Sequence, residues 1–321
     1  MCTAVACHWN GLYFGRTLDH DCSYGESVTL TPRCFPLQFR NGITLDRHYG
    51  ILGIAHVVKG YPLYYDAVNE KGVAMAGLHF VGNASYCDAQ GANTIAQFEV
   101  IPWLLSQCST AKEAAALLKL SPITREAFGK DYPPAPLHWL LADKTHCFTV
   151  EPLAQGLQIT ENPIGVLTNN PPFPQQLNHL ADFQHLSPAA QTNTLLPGCD
   201  LPQYSRGMGA IGLPGDLSSK SRFVRAAFTK YNSVLNADPV TQIFHILGSV
   251  SQTKGCCHLQ DGKIEFTRYT SCCDAAKGIY YYTTYHRRRI TAVSPEWEGE
   301  QLTQYPLRDQ EDIHWETGRG S

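Results

Sequence analysis

Two short apolar runs at the start of the chain, residues 3–9 and 12–15, are separated by Asn10-Gly11. Asn-Gly tolerates the positive φ angles of a type I′ turn, so the spacing predicts a tight β-hairpin. Such a hairpin folds Gly15-Arg16-Thr17-Leu18-Asp19 back beside Cys2, which directly follows Met1. The rest of the chain must then enclose a cation, an anion and a thiol gathered on one strand pair. A thiol is a strong nucleophile only as thiolate, and an α-amino group titrates near ~7.7–8.0. If Met1 is removed, Cys2 carries both groups on one carbon and can act as nucleophile and base.

The 321 residues, 43% of them hydrophobic, can bury a large core. No composition shift or internal repeat marks a linker, so one domain spanning 1–321 is expected. Lys and Arg number 25 against 28 Asp and Glu, with no long single-sign run except Arg287-Arg288-Arg289. That balance argues against a nucleic-acid partner, which needs a basic face. No apolar run approaches the roughly 18 residues of a membrane span, and no basic region precedes a long apolar stretch at the start. A cytoplasmic protein is expected, with its 12 cysteines reduced. Cys256-Cys257-His258 and Cys272-Cys273 are adjacent pairs, without the roughly two to four intervening residues that point two ligands at one zinc. Neighbours on a strand face opposite ways, so most of the cysteines are expected to be small buried hydrophobes, and no metal or cofactor is implied.

Further strands are expected at 26–31, 51–58 and 73–80, sharing one multi-stranded sheet with the hairpin. Helical periodicity covers 98–108 and 110–119, with Ser109 or Thr110 capping ahead of Glu113. Strands resume at 137–142, 147–151, 156–160 and 166–168. Residues 169–216, rich in Pro, Asn, Gln and Gly, read as a long excursion with some short helix. Helices at 221–231 and 240–250 and strands at 264–270 and 278–284 follow, and the sequence beyond Arg289 shows no pattern. Strand groups on both sides of helix pairs imply a layered α+β architecture, with sheets facing each other between helices.

Arg16 and Asp19 are either a buried structural pair or the groups that hold an ammonium and favour a thiolate at Cys2. Leu167-Thr168-Asn169-Asn170-Pro171 is either a simple turn or a strand end whose amide donates to an oxyanion. His79, in Gly77-Leu78-His79-Phe80, is a structural strand histidine or a site residue. The glycines of 207–215 lack the Lys-Ser/Thr of a phosphate loop, and Pro214 interrupts a dinucleotide context, which argues against nucleotide binding. Arg222 sits near a helix start, where the dipole disfavours a cation, so another interaction is expected to hold it there.

In this order, Cys2-Thr3, Gly15-Arg16-Thr17-Leu18-Asp19, Gly77-Leu78-His79-Phe80, Leu167-Thr168-Asn169-Asn170-Pro171 and the segment from Leu213 to Phe223 resemble the choloylglycine hydrolase family. That family comprises bile salt hydrolases and penicillin V acylases of the N-terminal nucleophile hydrolase superfamily. The resemblance extends to about Tyr285. It implies an α+β fold, an αββα four-layer sandwich, and amide hydrolysis by Cys2 after loss of Met1, without cofactor or metal. It implies conjugated bile salts as substrates, with a penicillin V or other acyl-amide acylase as the alternative and a non-catalytic thiol-rich binding protein as a rival of another class. By matching positions, Arg16 and Asp19 would position Cys2, Asn169 would serve the tetrahedral intermediate, and Arg222 would complete the charged network. His79 stands where bile salt hydrolases carry an oxyanion-hole Asn; a neutral imidazole N–H can donate the same bond. Leu18 and Tyr24 would line an apolar acyl cleft beside a loop around 204–209. In that loop Ser205-Arg206-Gly207-Met208-Gly209 resembles the variant associated with taurine conjugates, where Arg206 can pair with a sulfonate or with a glycine carboxylate. A homotetramer is also implied.

Overall fold

The protein is described here by a computed structural model covering residues 1–88, 91, 93–234, 238–311 and 313–316. The hairpin forms from β1 (Cys2–His8) and β2 (Leu12–His20), in continuous register from Cys2 opposite Leu18 to His8 opposite Leu12. Its connection is three residues long rather than a two-residue type I′ turn. Trp9 leaves the ladder and packs against Tyr13, with ring centroids 6.4 Å apart, while Asn10 takes φ 52°.

Strands β3 (Ser27–Thr31), β4 (Ile51–Val58), β5 (Tyr61–Asn69) and β6 (Ala74–His79) follow. After helices α1 (Val100–Gln107) and α2 (Ala111–Lys119) come β7 (Leu137–Ala142), β8 (Cys147–Leu153), β9 (Gly156–Glu161) and β10 (Val166–Leu167). Thr110 caps α2 by accepting from the Glu113 amide, as its sequence suggests. The 169–216 excursion holds α3 (Phe173–Ala181) and a short turn of helix at Met208–Ala210. Then come α4 (Ser219–Asn232), α5 (Pro239–Gly248), β11 (Ile264–Asp274), β12 (Ile279–Thr284), β13 (Thr291–Val293) and β14 (Thr303–Pro306).

Among the described residues the main strands form two antiparallel sheets. One, of seven strands, runs β10-β1-β2-β11-β12-β13 with Cys257–His258 paired to β11; the other, of eight, runs β9-β8-β7-β6-β5-β4-β3-β14. The first-half strands therefore do not share one sheet. The hairpin buries both faces, Ala4 and Ala6 on one side and Val5 and Cys7 on the other, so it lies inside a separate sheet between β10 and β11.

Alternation then builds the layers. Ala4, Ala6 and Phe14 meet Leu52, Ile54, Ala76 and Leu78 between the sheets. Val5, Cys7 and Cys272 face Phe223 of α4 and Ile243 and Leu247 of α5. Met75 and Leu141 face Val100 and Leu104 of α1 and Leu118 of α2. The result is the expected αββα sandwich. Cys272 and Cys273 do point into different cores, but half of the 12 thiols, not most, are buried.

The sheet around the hairpin is packed to contact. A Cβ at Gly15 would lie 2.4 Å from the Ser271 carbonyl oxygen and 3.1 Å from side-chain carbons of Ile243 and Leu247. Gly15→Ala is expected to cost about 1–3 kcal/mol through this overlap, seen as a lower urea midpoint with an unchanged slope; a midpoint equal to the parent's would contradict that packing.

Candidate active site

Cys2, the first residue of β1, lies in the inter-sheet core opposite Leu18 near the end of β2, and is 4% exposed. Its backbone N–H donates to Asn169 Oδ1 at 2.9 Å. The same oxygen accepts from Arg222 Nη2 at 2.7 Å, while Arg222 Nη1 donates to the Cys2 carbonyl at 2.5 Å and to Thr3 Oγ1 at 2.7 Å. Arg222 lies in the first turn of α4, capped by Ser218, and is fully buried. Its place near a helix start is explained by these acceptors. Burial lowers its pKa, an effect opposed by nearby Asp19 and Cys2.

Arg16 and Asp19 project from β2. Arg16 Nη1 donates to the carbonyls of Gly77, at 2.8 Å, and Tyr65, at 3.1 Å, which ties the hairpin to the opposite sheet. Its Nη2 is buried without a hydrogen-bond partner. Burial opposes its charge, yet Cys2, Tyr269 and Asp66 together raise its pKa above the ordinary arginine value. Asp19 accepts from Thr267 Oγ1 at 2.6 Å and Gln252 Nε2 at 3.3 Å. Its backbone pairs with Met1, whose ammonium donates to the Asp19 carbonyl at 2.7 Å and to Glu265 at 2.5 Å.

His79 closes the arrangement from β6. Its carbonyl accepts from Asn169 Nδ2 at 2.8 Å, and its ring lines the same cavity as Cys2. Burial lowers its pKa to about 4, helped by the terminal ammonium, His20, Arg16 and His138. At neutral pH the ring is thus uncharged and can donate one N–H.

The cavity, about 360 Å³, is walled by Leu18, Tyr24, Phe128, Pro134 and Leu137, with Cys2 in its lining. It is large enough and apolar enough for a ring-bearing acyl group. Leu18 and Tyr24 therefore stand where the sequence puts them. Arg206 does not: it is exposed, and none of residues 204–209 lines the cavity. A larger cleft of about 610 Å³, near Arg40 and Arg125, contains none of the groups around Cys2.

The structure adds residues with no sequence motif of their own. Asp66, buried between the sheets, accepts hydrogen bonds from Tyr269 at 2.9 Å, Ser271 at 3.0 Å and Tyr280. Gln252 and Thr267 partner Asp19. A lone Asp in the apolar run of β5 is the one signal that marked any of them.

The model of the linear amide C–N hydrolases, choloylglycine hydrolase family, matches residues 2–305. The chain belongs to this family. It is 50% identical to a bile salt hydrolase/transferase of Lactiplantibacillus plantarum, over 97% of this chain and 98% of that protein. A conjugated bile acid hydrolase of Lactobacillus gasseri is 35% identical over 84% of this chain and 87% of its own. The solved conjugated bile acid hydrolase of Clostridium perfringens superposes with a TM-score of 0.91 at 31% identity, covering 98% of this chain and 99% of that one. Penicillin V acylase from Agrobacterium tumefaciens shares the fold, with a TM-score of 0.75, over 98% of this chain and 100% of its own, at 19% identity.

His79 gives the site a pH signature. Its folded pKa of about 4 lies below the ordinary 6.5, so between those values the unfolded chain binds more protons and stability falls as pH drops. The full effect is on the order of 3 kcal/mol. His79→Asn is expected to flatten urea-derived stability between pH 6.5 and 4; an unchanged slope would show that His79 is not held neutral.

Proposed function

We propose that this chain hydrolyses the amide bond of conjugated bile salts, releasing free bile acid and taurine or glycine. The observation that carries the reading is that Cys2 lines a largely apolar cavity, in a chain half identical to a named bile salt hydrolase/transferase. Removal of Met1 turns the Cys2 amide into an amine, which takes the thiol proton. The thiolate attacks the substrate carbonyl, and the oxyanion draws on the His79 N–H and the second Nδ2 hydrogen of Asn169. As the C–N bond breaks, the departing nitrogen takes the proton from the ammonium. Water then attacks the thioester, releasing the acid and restoring the thiol. Arg222 and Asp19 would hold the start of β1, and Arg16, which lines the same cavity as Cys2 and has a buried Nη2 without a hydrogen-bond partner, would favour the thiolate.

Leu18 and Tyr24 would contact the steroid. Taurine conjugates would be favoured through Arg206, which requires its exposed loop to approach the cavity mouth when substrate binds. The chain works as one domain, in the cytoplasm, and as a homotetramer. Among the described residues no helix is long and apolar enough to cross a membrane, and exposed Leu195, Leu196 and Tyr204 offer apolar surface for another copy to cover.

Turnover of taurocholate, glycocholate and penicillin V by one preparation tests the reading. Both bile salts are expected to exceed penicillin V, and Cys2→Ala to lose at least about a thousand-fold in kcat. Preferred cleavage of penicillin V would replace bile salts with the acylase alternative. Intact mass should show Met1 absent from active protein, and full activity with Met1 retained would refute the amine as base.

A further inference from the structure

Behind His79 and Asn169 lie two ionisable side chains that the steps above do not use. His138, in β7, is fully buried, and Glu151, in β8, is 2% exposed. They sit one step beyond the Trp139–Val150 pair of adjacent antiparallel strands. His138 Nδ1 lies 3.3 Å from Glu151 Oε1, and Nε2 lies 2.8 Å from the Thr168 carbonyl oxygen. A backbone carbonyl only accepts, so Nε2 carries the hydrogen donated to Thr168.

Each contact ends one residue from a proposed oxyanion donor. Thr168 precedes Asn169. The His138 ring stacks on Phe80, with centroids 4.1 Å apart and planes 6° from parallel, and Phe80 follows His79. Glu151 also accepts from the Phe173 N–H, at 3.0 Å to Oε1 and 3.2 Å to Oε2. The dyad thereby grips both ends of the 168–173 segment that carries Asn169 and flanks the strand end that carries His79. Two buried ionisable groups in a largely apolar strand pair are costly to keep without such partners. Neither side chain lines the cavity holding Cys2.

We propose that His138 and Glu151 are positioning residues for amide hydrolysis, holding His79 and Asn169 in the arrangement that the tetrahedral intermediate needs. This rests on the roles given above to His79 and Asn169. The dyad acts on oxyanion stabilisation and not on the nucleophile, which makes two reactions of Cys2 separable. Alkylation by iodoacetamide forms no oxyanion, whereas amide cleavage does.

The test uses full-length protein freed of Met1, with His138→Phe, which keeps the stack and removes both ring nitrogens, and Glu151→Leu. Thermal melts establish which variants fold. Expected is a kcat lowered about 10- to 100-fold, since a displaced donor costs less than a deleted one, with KM and the Cys2 alkylation rate within about twofold of parent. Glu151→Gln, which can still bond both His138 and the Phe173 amide, should recover most of the activity. It also keeps the test decisive if Glu151→Leu fails to fold, as does His138→Gln, which can still reach the Thr168 carbonyl. Folded His138→Phe with parental kcat, or kcat and alkylation falling together, would overturn the proposal. Rates are taken as variant-to-parent ratios on whichever amide the parent cleaves. Inactivity of the parent on bile salts therefore refutes the substrate reading and leaves the dyad measurable.

Discussion

The guanidinium of Arg222 joins three elements of the sandwich at one point. It reaches from the outer helix α4 to the carbonyl of Cys2, the hydroxyl of Thr3 and the amide of Asn169. Burying a cation is costly unless its donors are satisfied, and here four of its hydrogen bonds go to neutral oxygens rather than to a carboxylate. The charge that most offsets its burial is Asp19, itself held by Thr267 and Gln252. Moving any one of these groups leaves another buried and unpaired. The start of β1 is rigid because of this mutual dependence, and a nucleophile that reacts from a chain terminus needs such rigidity most, since termini otherwise fray.

The second organising feature is strand alternation. Successive residues of β1 supply the inter-sheet core and the helix-facing core in turn, and Cys2 falls on the inter-sheet side with Ala4 and Ala6. The reactive sulfur therefore faces the gap between sheets, where β6 ends at His79 and the cavity opens. A one-residue slip of the hairpin would turn it toward α4 and α5. The long, unbroken register of β1 with β2 opposes that slip.

Much of this was legible beforehand. Strands Ile51–Val58 and Leu137–Ala142 coincide with their sequence patterns, because apolar and β-branched residues there stop at clear breakers. Strand Tyr61–Asn69 was missed: it has Pro62 as its second residue and carries Asp66, features that count against a strand until a partner satisfies them. The tail after Arg289 looked patternless because β14 is a fully exposed edge strand, yet Trp297 packs on Gly50 and accepts from the Arg33 amide. In the site, Cys2, Arg16, Asp19, His79, Asn169 and Arg222 were all named from short motifs, and the structure gathers them. Arg206 was not gathered. Asp66, His138 and Glu151 gave little local sign, since a polar residue on a strand reads alike whether its partner lies in water or on a strand far along the chain.

The partners of the first strand come late in the chain. Cys2 is separated from Arg222 by 220 residues, and Asp19 from Thr267 by 248. The clamp on the hairpin cannot exist until residues more than 200 positions further along the chain have folded onto it. Contacts of such long range close slowly, at an entropic cost that local structure does not carry. A chain that lacks these later partners therefore holds its thiol without the network that surrounds it.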